Sequence, residues 1–206
     1  IPNMEGWELI QKQSAVVPIV RDPEEQLKLY SATCRNEVRR SYREEKLSVE
    51  INPSNTEELY EFHKKCEEQR GWTPIPLEEL SASLIIAVRY GEELISVMSA
   101  YWGEKVLRVG RIFSVRRAEK YQDVQKVFFS VASKRIVHEL TRWAAEHHLE
   151  WLDLGGVDPE DEMKKGIFEF KMSFGSEVRS TYLVRYRGAG FQSLANYFKT
   201  NKLDLT

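Results

Sequence analysis

Asp153 lies within the apolar run WLDL, one residue before Gly155 and Gly156. A carboxylate beside two glycines, which permit positive φ and close backbone approach, suits a loop that receives a substrate. Asp153 can bind an amine or act as its general base, or it can cap the turn through backbone N–H groups. Eighteen residues on, Lys171 lies in FKMSFG among Ile167, Phe170 and Phe174. As a cation near a substrate it can hold a phosphate or steady a developing oxyanion; otherwise it is a solvated lysine on an amphipathic helix. Arg35, Arg39, Arg40 and Arg43 form a cationic strip at helical spacing, suited to the diphosphate of a nucleotide-linked or lipid-linked substrate. The neighbouring Glu37, Glu44 and Glu45 offer the alternative of local neutralisation. The four histidines form no metal-ligand pattern, and neither a P-loop nor a G-x-S-x-G elbow is present.

The elements that must position these groups follow from periodicity. Of 206 residues, 42% are hydrophobic and 30% charged, which fits one globular domain over residues 1–206. The net charge of −2 speaks against DNA or another polyanion as the main partner. Cys34 and Cys66, each in a helical segment, are too few for a disulfide framework and indicate a reducing compartment. Glu5, Glu8 and Lys12 interrupt any signal-peptide pattern and no apolar run could span a bilayer, so a cytoplasmic protein without integral membrane association is expected.

Ser14 to Val20 reads as a short strand with Pro18 near an edge, and Asp22 as the cap of one helix reaching about Lys46. A strand at Leu47 to Ile51 and helices opening at Asn55 and near Pro76 come next. Three strands then span Leu84 to Val115, a polar stretch Arg116 to Asp123, and a long helix Val124 to Leu149. The remainder is a strand at Trp151 to Leu154, a helix at Ile167 to Phe174, a strand at Val178 to Tyr186, and an amphipathic helix with Phe191, Leu194, Ala195 and Phe198. Strands first and strand–helix alternation afterwards predict an α+β fold: a mixed, mostly antiparallel twisted sheet with helices on both faces.

The stretch DLGGVDPEDEMKKGIFEFKMSFG resembles the Fem-like branch of the GNAT N-acyltransferase superfamily, with its strand ending in D-x-G-G and its later G-(I/L)-x-x-F-K-x-x-F-G. Here the matching residues are Asp153, Gly155, Gly156, Gly166, Ile167, Phe170, Lys171, Phe174 and Gly175. CRNEVRRSYREEKLSVEI resembles the arginine-bearing helix of that branch, and the likeness covers roughly residues 14 to 188. Ser176 stands where the branch often has a second glycine, and Tyr121 to Phe129 contains no glycine for a pyrophosphate loop.

The resemblance implies acyl transfer to an amine, with Asp153, Tyr101 and Lys171 as catalytic residues. It implies substrate binding by Arg35, Arg39, Arg40, Arg111, Ser114, Tyr121, Gly155, Gly156 and Phe170. Tyr101, Arg111, Ser114 and Tyr121 would lie on or just after the cleft-lining strands; Tyr101 could protonate a leaving thiolate or be plain sheet packing. The expected activity moves an acyl group from acyl-CoA to the amine of a nucleotide-linked amino sugar in bacterial cell-envelope glycan synthesis. Two alternatives stay open: an aminoacyl-tRNA-dependent peptidyltransferase acting on a peptidoglycan precursor, and a non-catalytic binding module on the same fold.

Overall fold

The computed structural model describes residues 7–69, 71, 73–114 and 126–186. The chain opens with β1 (Trp7–Pro18). Asp22 then starts α1 (Pro23–Leu29), its Oδ1 accepting the N–H groups of Glu24 and Glu25 at 2.9 and 3.0 Å with Pro23 at the first helical position. The single helix expected from Asp22 to Lys46 is two helices. Backbone at Tyr30 is extended, the Ser31 hydroxyl accepts the Cys34 N–H at 3.3 Å, and α2 (Ala32–Arg43) begins afresh. Apolar periodicity carries across such a break, because the same face of both helices is buried.

There follow β2 (Leu47–Ile51), α3 (Thr56–Glu68) capped by Asn55, α4 (Leu77–Ser81), β3 (Leu84–Tyr90), β4 (Glu93–Trp102) and β5 (Val106–Ser114). After these come α5 (Lys126–Glu146), β6 (Trp151–Gly156), a 3₁₀ turn at Glu162–Lys164, α6 (Lys165–Met172) and β7 (Glu177–Tyr186). The predicted polar stretch 116–123 and the predicted last helix lie outside the described residues.

One seven-stranded sheet results, in the order β2-β3-β4-β5-β6-β1-β7, antiparallel throughout except for β5 and β6. Parallel neighbours need a long crossover, and α5 supplies it. The expected short edge strand Ser14 to Val20 is corrected: β1 is 12 residues long and lies inside the sheet, paired with both β6 and β7. Pro18 is tolerated there because it is the last residue of the strand, and Ile19 N–H resumes the ladder to Glu150 C=O at 2.9 Å.

Period-two alternation sends Leu84, Ile86, Val88, Leu107, Val109, Leu152 and Leu154 to one face, under α1, α2 and α5. Ile85, Ala87, Val97 and Phe113 go to the other, under Leu59, Phe62 and Cys66 of α3 and Leu80 of α4. Helices thus cover both faces, as predicted. Cys34 and Cys66 are buried free thiols. Among the described residues no helix is long and apolar enough to cross a membrane.

A buried polar brace joins α2 to α5. The hydroxyl of Thr141 donates to His138 C=O at 2.7 Å, so Tyr30 O–H, 3.0 Å away, donates to the Thr141 oxygen. The Tyr30 oxygen is then left to accept from His138 Nδ1–H at 3.2 Å, which sets the imidazole tautomer. Beside it, Glu139 accepts from Tyr42 at 2.8 Å and pairs with Arg135 and Arg142 at 2.6 and 3.1 Å. Burial alone would raise the Glu139 pKa, yet the bonds from Tyr42 and Arg135 bring it below its usual range.

Burial lowers the His138 pKa from 6.5 to about 4, Glu139 opposing the shift and Arg142 and Arg135 adding to it. Since the folded-state value is the lower one, protons favour the unfolded chain between those two pH values. His138 therefore contributes fully above pH 6.5 and loses its contribution, on the order of 3 kcal/mol, as pH falls toward 4. Urea unfolding at pH 7 and pH 4.5 should show a steeper loss for the native protein than for His138→Gln. Equal losses would remove His138 as the source.

Candidate functional site

The parallel pairing of β5 and β6 lasts only three residues: Val106 with Trp151, Leu107 with Leu152, and Arg108 with Asp153. Both strands then leave the pairing at a bulge. In β5 the extra residue is Gly110, between Val109 and Arg111, which pair with the consecutive Ala100 and Ser99 of β4. In β6 three steps from Asp153 to Gly156 match only two on β1, from Val16 to Ser14, and Gly155 sits there at φ +83°. Bulges bend a strand and raise its twist, so the two strands part into a fork. Beyond Arg108, β5 has no strand partner on its β6 side among the described residues.

Asp153 stands at the vertex. Its Oδ1 accepts Gly155 N–H at 2.7 Å, the turn-capping role foreseen as an alternative. Its Oδ2 holds the guanidinium of Arg108 at 3.2 Å. Lys171 reaches over from α6, and its Nζ donates to Gly156 C=O at 2.8 Å. Burial lowers the Lys171 pKa; the Asp153 charge works against the shift and Arg108 adds to it. Both glycines keep this ledge bare, since a Cβ on Gly155 would come within 3.7 Å of the Lys171 ammonium.

Register extends the group across three strands. Tyr101 of β4 is the cross-strand partner of Arg108, which is in turn the partner of Asp153. Tyr101 and Asp153 are thus two strand spacings apart, about 9–10 Å between backbones. The Tyr101 ring lies over Gly110, where a Cβ would be 2.6 Å from it, and the hydroxyl donates to Glu79 of α4 at 3.3 Å. Burial raises the Tyr101 pKa, with the charge and hydrogen bond of Glu79 adding to it and Arg111 opposing it. Arg111, one bulge above Arg108, is held at 2.9 Å by the buried carboxylate of Glu67.

Of the residues singled out in the sequence, Asp153, Gly155, Gly156 and Lys171 meet at the vertex, while Tyr101 lies two strands away with its hydroxyl on Glu79 and Arg111 beside it. Ser114 is buried at the far end of β5, opposite Ser96. Phe170 packs edge-on against Phe174, and Ile167, expected beside them, is exposed. The strip Arg35, Arg39, Arg40 is on α2, whose Cys34 and Val38 pack with Leu152 and Leu154, on the face of β6 opposite to that of Asp153. Arg39 there pairs with Glu24 at 2.8 Å. Tyr121 lies outside the described residues.

Sequence reasoning missed Arg108, Glu67 and Glu79. The alternation in VLRVG marks Arg108 as facing away from Leu107 and Val109, yet only the register with β6 sets it beside Asp153. Among the described residues no group of three or more His, Cys, Asp or Glu side chains is arranged to hold a metal.

No protein-family model and no curated protein sequence matches the chain. Among solved structures it is similar to FemX, with a TM-score of 0.67 and 12% identity over 94% of this chain and 68% of that one. It is also similar to the C-terminal domain of an Agrobacterium fabrum protein described as a lysylphosphatidylglycerol synthetase (TM-score 0.60, 14% identity, 95% and 66% covered). A third likeness is to L-PGS from Bacillus licheniformis, with a TM-score of 0.59 and 13% identity over 95% of this chain and 66% of that one. The chain therefore shares the fold of FemX and of these two proteins, the Fem-like fold that DLGG and FKMSFG imply. The chain spans about two thirds of the length of these solved chains.

Two motif glycines do different work. Gly175 ends α6 at φ +72°, and a Cβ there would lie 2.5 Å from the Leu29 carbonyl oxygen, a backbone atom unable to swing aside. Ser176, in place of the second glycine, donates to Lys171 C=O at 2.8 Å and closes the helix end. Gly175→Ala should lower unfolding free energy by at least about 2 kcal/mol, and Gly155→Ala, strained but uncrowded, by about 1 kcal/mol. Equal costs in urea titrations would contradict the packing of Gly175 on α1.

Proposed function

We propose that the chain is an N-acyltransferase whose reaction takes place at the β5–β6 fork. In this reading it transfers an acyl group from acyl-CoA to the amine of a nucleotide-linked amino sugar in bacterial cell-envelope glycan synthesis. The observation that carries the proposal is the vertex itself: a buried carboxylate, two cations and a tyrosine converge where the strands part.

The acceptor amine attacks the thioester carbonyl, a C–N bond forms and the C–S bond breaks, with no covalent enzyme intermediate. Asp153 holds the amine and receives its proton directly or through water, and Lys171 steadies negative charge on the substrate bound beside it. The Tyr101 hydroxyl gives its proton to the departing thiolate. Burial and Glu79 raise the pKa of that hydroxyl, which keeps it protonated but makes it a weaker acid, so the transfer follows the build-up of charge on sulfur. A second reading, transfer from aminoacyl-tRNA, is favoured by the Phe170–Lys171 pair at the site, while the net charge of −2 favours coenzyme A.

Thermal unfolding with coenzyme A, a uridine-diphosphate amino sugar or tRNA in separate samples tests the donor, since a ligand of the folded state raises Tm. Coenzyme A and the sugar nucleotide should each stabilise; stabilisation by tRNA without coenzyme A would overturn the donor assignment. Asp153→Asn should reduce kcat by roughly 10²-fold or more with a small change in donor KM. Unchanged turnover would remove Asp153 from the chemistry.

A further inference from the structure

The charges at the vertex do not balance. Arg108 uses one guanidinium nitrogen on Asp153, its side chain is 56% exposed, and its remaining N–H groups meet no protein acceptor among the described residues. Lys171 is half-buried and donates to a neutral carbonyl, with no carboxylate within ion-pair distance among the described residues. Asp153 is therefore one negative charge facing two cations that sit close enough to repel each other. Two carboxylates on the same side of the sheet are already engaged: Glu67 with Arg111, and Glu79 with the Tyr101 hydroxyl. The bare backbone of Gly155 and Gly156 runs beside the Lys171 ammonium, which lies 3.7 Å from where a Cβ on Gly155 would be and bonds the Gly156 carbonyl.

We propose that Arg108 and Lys171 form a clamp for a phosphate group of the substrate, seated over the Gly155–Gly156 ledge and completing the charge balance left by Asp153. The guanidinium supplies the planar fork that matches two phosphate oxygens, and the ammonium supplies a point charge from the other side. Asp153 fixes Arg108 in place from behind, so the arginine needs little reordering when the phosphate arrives. The clamp deepens the acyltransferase reading by assigning a phosphate-bearing substrate to the fork, and Arg108 is its specificity residue. Both a coenzyme A donor and a nucleotide-linked acceptor carry a diphosphate, so the chemistry is shared and the source must be separated by competition.

Inorganic pyrophosphate titrated calorimetrically into the full chain at constant ionic strength is the direct probe. The native protein and Lys28→Gln, on exposed α1 surface away from the fork, should bind alike. Arg108→Gln and Lys171→Met should each weaken binding about tenfold or more, and Arg108→Lys, which keeps the charge but loses the planar fork, should fall between. Displacement by uridine diphosphate assigns the clamp to the acceptor, whose amine it brings near Asp153; displacement by coenzyme A alone assigns it to the donor, sets the thioester a pantetheine arm away and overturns Asp153 as the base. Absence of pyrophosphate binding, equal binding by Arg108→Gln with its Tm preserved, or displacement by neither competitor would overturn the clamp. Because the titration needs no turnover, binding lost in Arg108→Gln together with an absence of acyl transfer would retain the clamp and remove the enzymatic reading.

Discussion

Everything at the candidate site depends on β5 and β6 being parallel neighbours for three residues and no more. Parallel strands in one sheet run side by side until something bends them, and here each carries a bulge immediately past the shared stretch, with Gly110 in one and Gly155 in the other. Continued pairing would have filled the gap with main-chain hydrogen bonds and sealed Asp153 inside an ordinary sheet. Parting instead ends the β5–β6 ladder in the middle of the sheet, and the charged residues are at the same place.

The vertex joins a structural duty to a chemical one in a single side chain. One oxygen of Asp153 satisfies the Gly155 N–H that the bulge takes out of the ladder, and the other holds Arg108. The same bend that opens the fork thus orients a cation across it. Lys171 arrives from a separate element, and its position depends on how α6 is seated. That seating is mechanical: Phe174 is fully buried against Tyr30, Gly175 passes close under the Leu29 carbonyl, and Ser31 N–H bonds Ser173 C=O at 2.8 Å. Much of FKMSFG therefore serves to dock α6 on the α1–α2 junction so that one lysine reaches the fork.

Tyr30 connects this docking to the brace behind the sheet. Its ring meets Phe174 of α6 and its hydroxyl meets His138 and Thr141 of α5, the helix that makes the parallel crossover possible. The break between α1 and α2, which turns Tyr30 inward, is what allows one residue to touch both. Satisfied buried polar networks fix a single arrangement more sharply than apolar packing alone. Here the network holds the crossover helix and the lysine-bearing helix in one frame.

The sequence by itself determined the element types, the α+β class and the local motif chemistry, because these rest on short-range rules: alternation, helical spacing, capping by Asp22 and Asn55, and glycines next to Asp153. Through its resemblance it also pointed to the Fem-like GNAT-related fold. It misplaced β1 at an edge and merged α1 with α2, since a buried face looks alike whether one helix or two present it, and a strand's neighbours are not written in its own residues. Only the tertiary structure decided that Arg108 lies between Tyr101 and Asp153, residues 52 positions apart in the chain. That juxtaposition comes from strand register, a property of pairs of strands set by the whole core, and no local pattern in either strand encodes it.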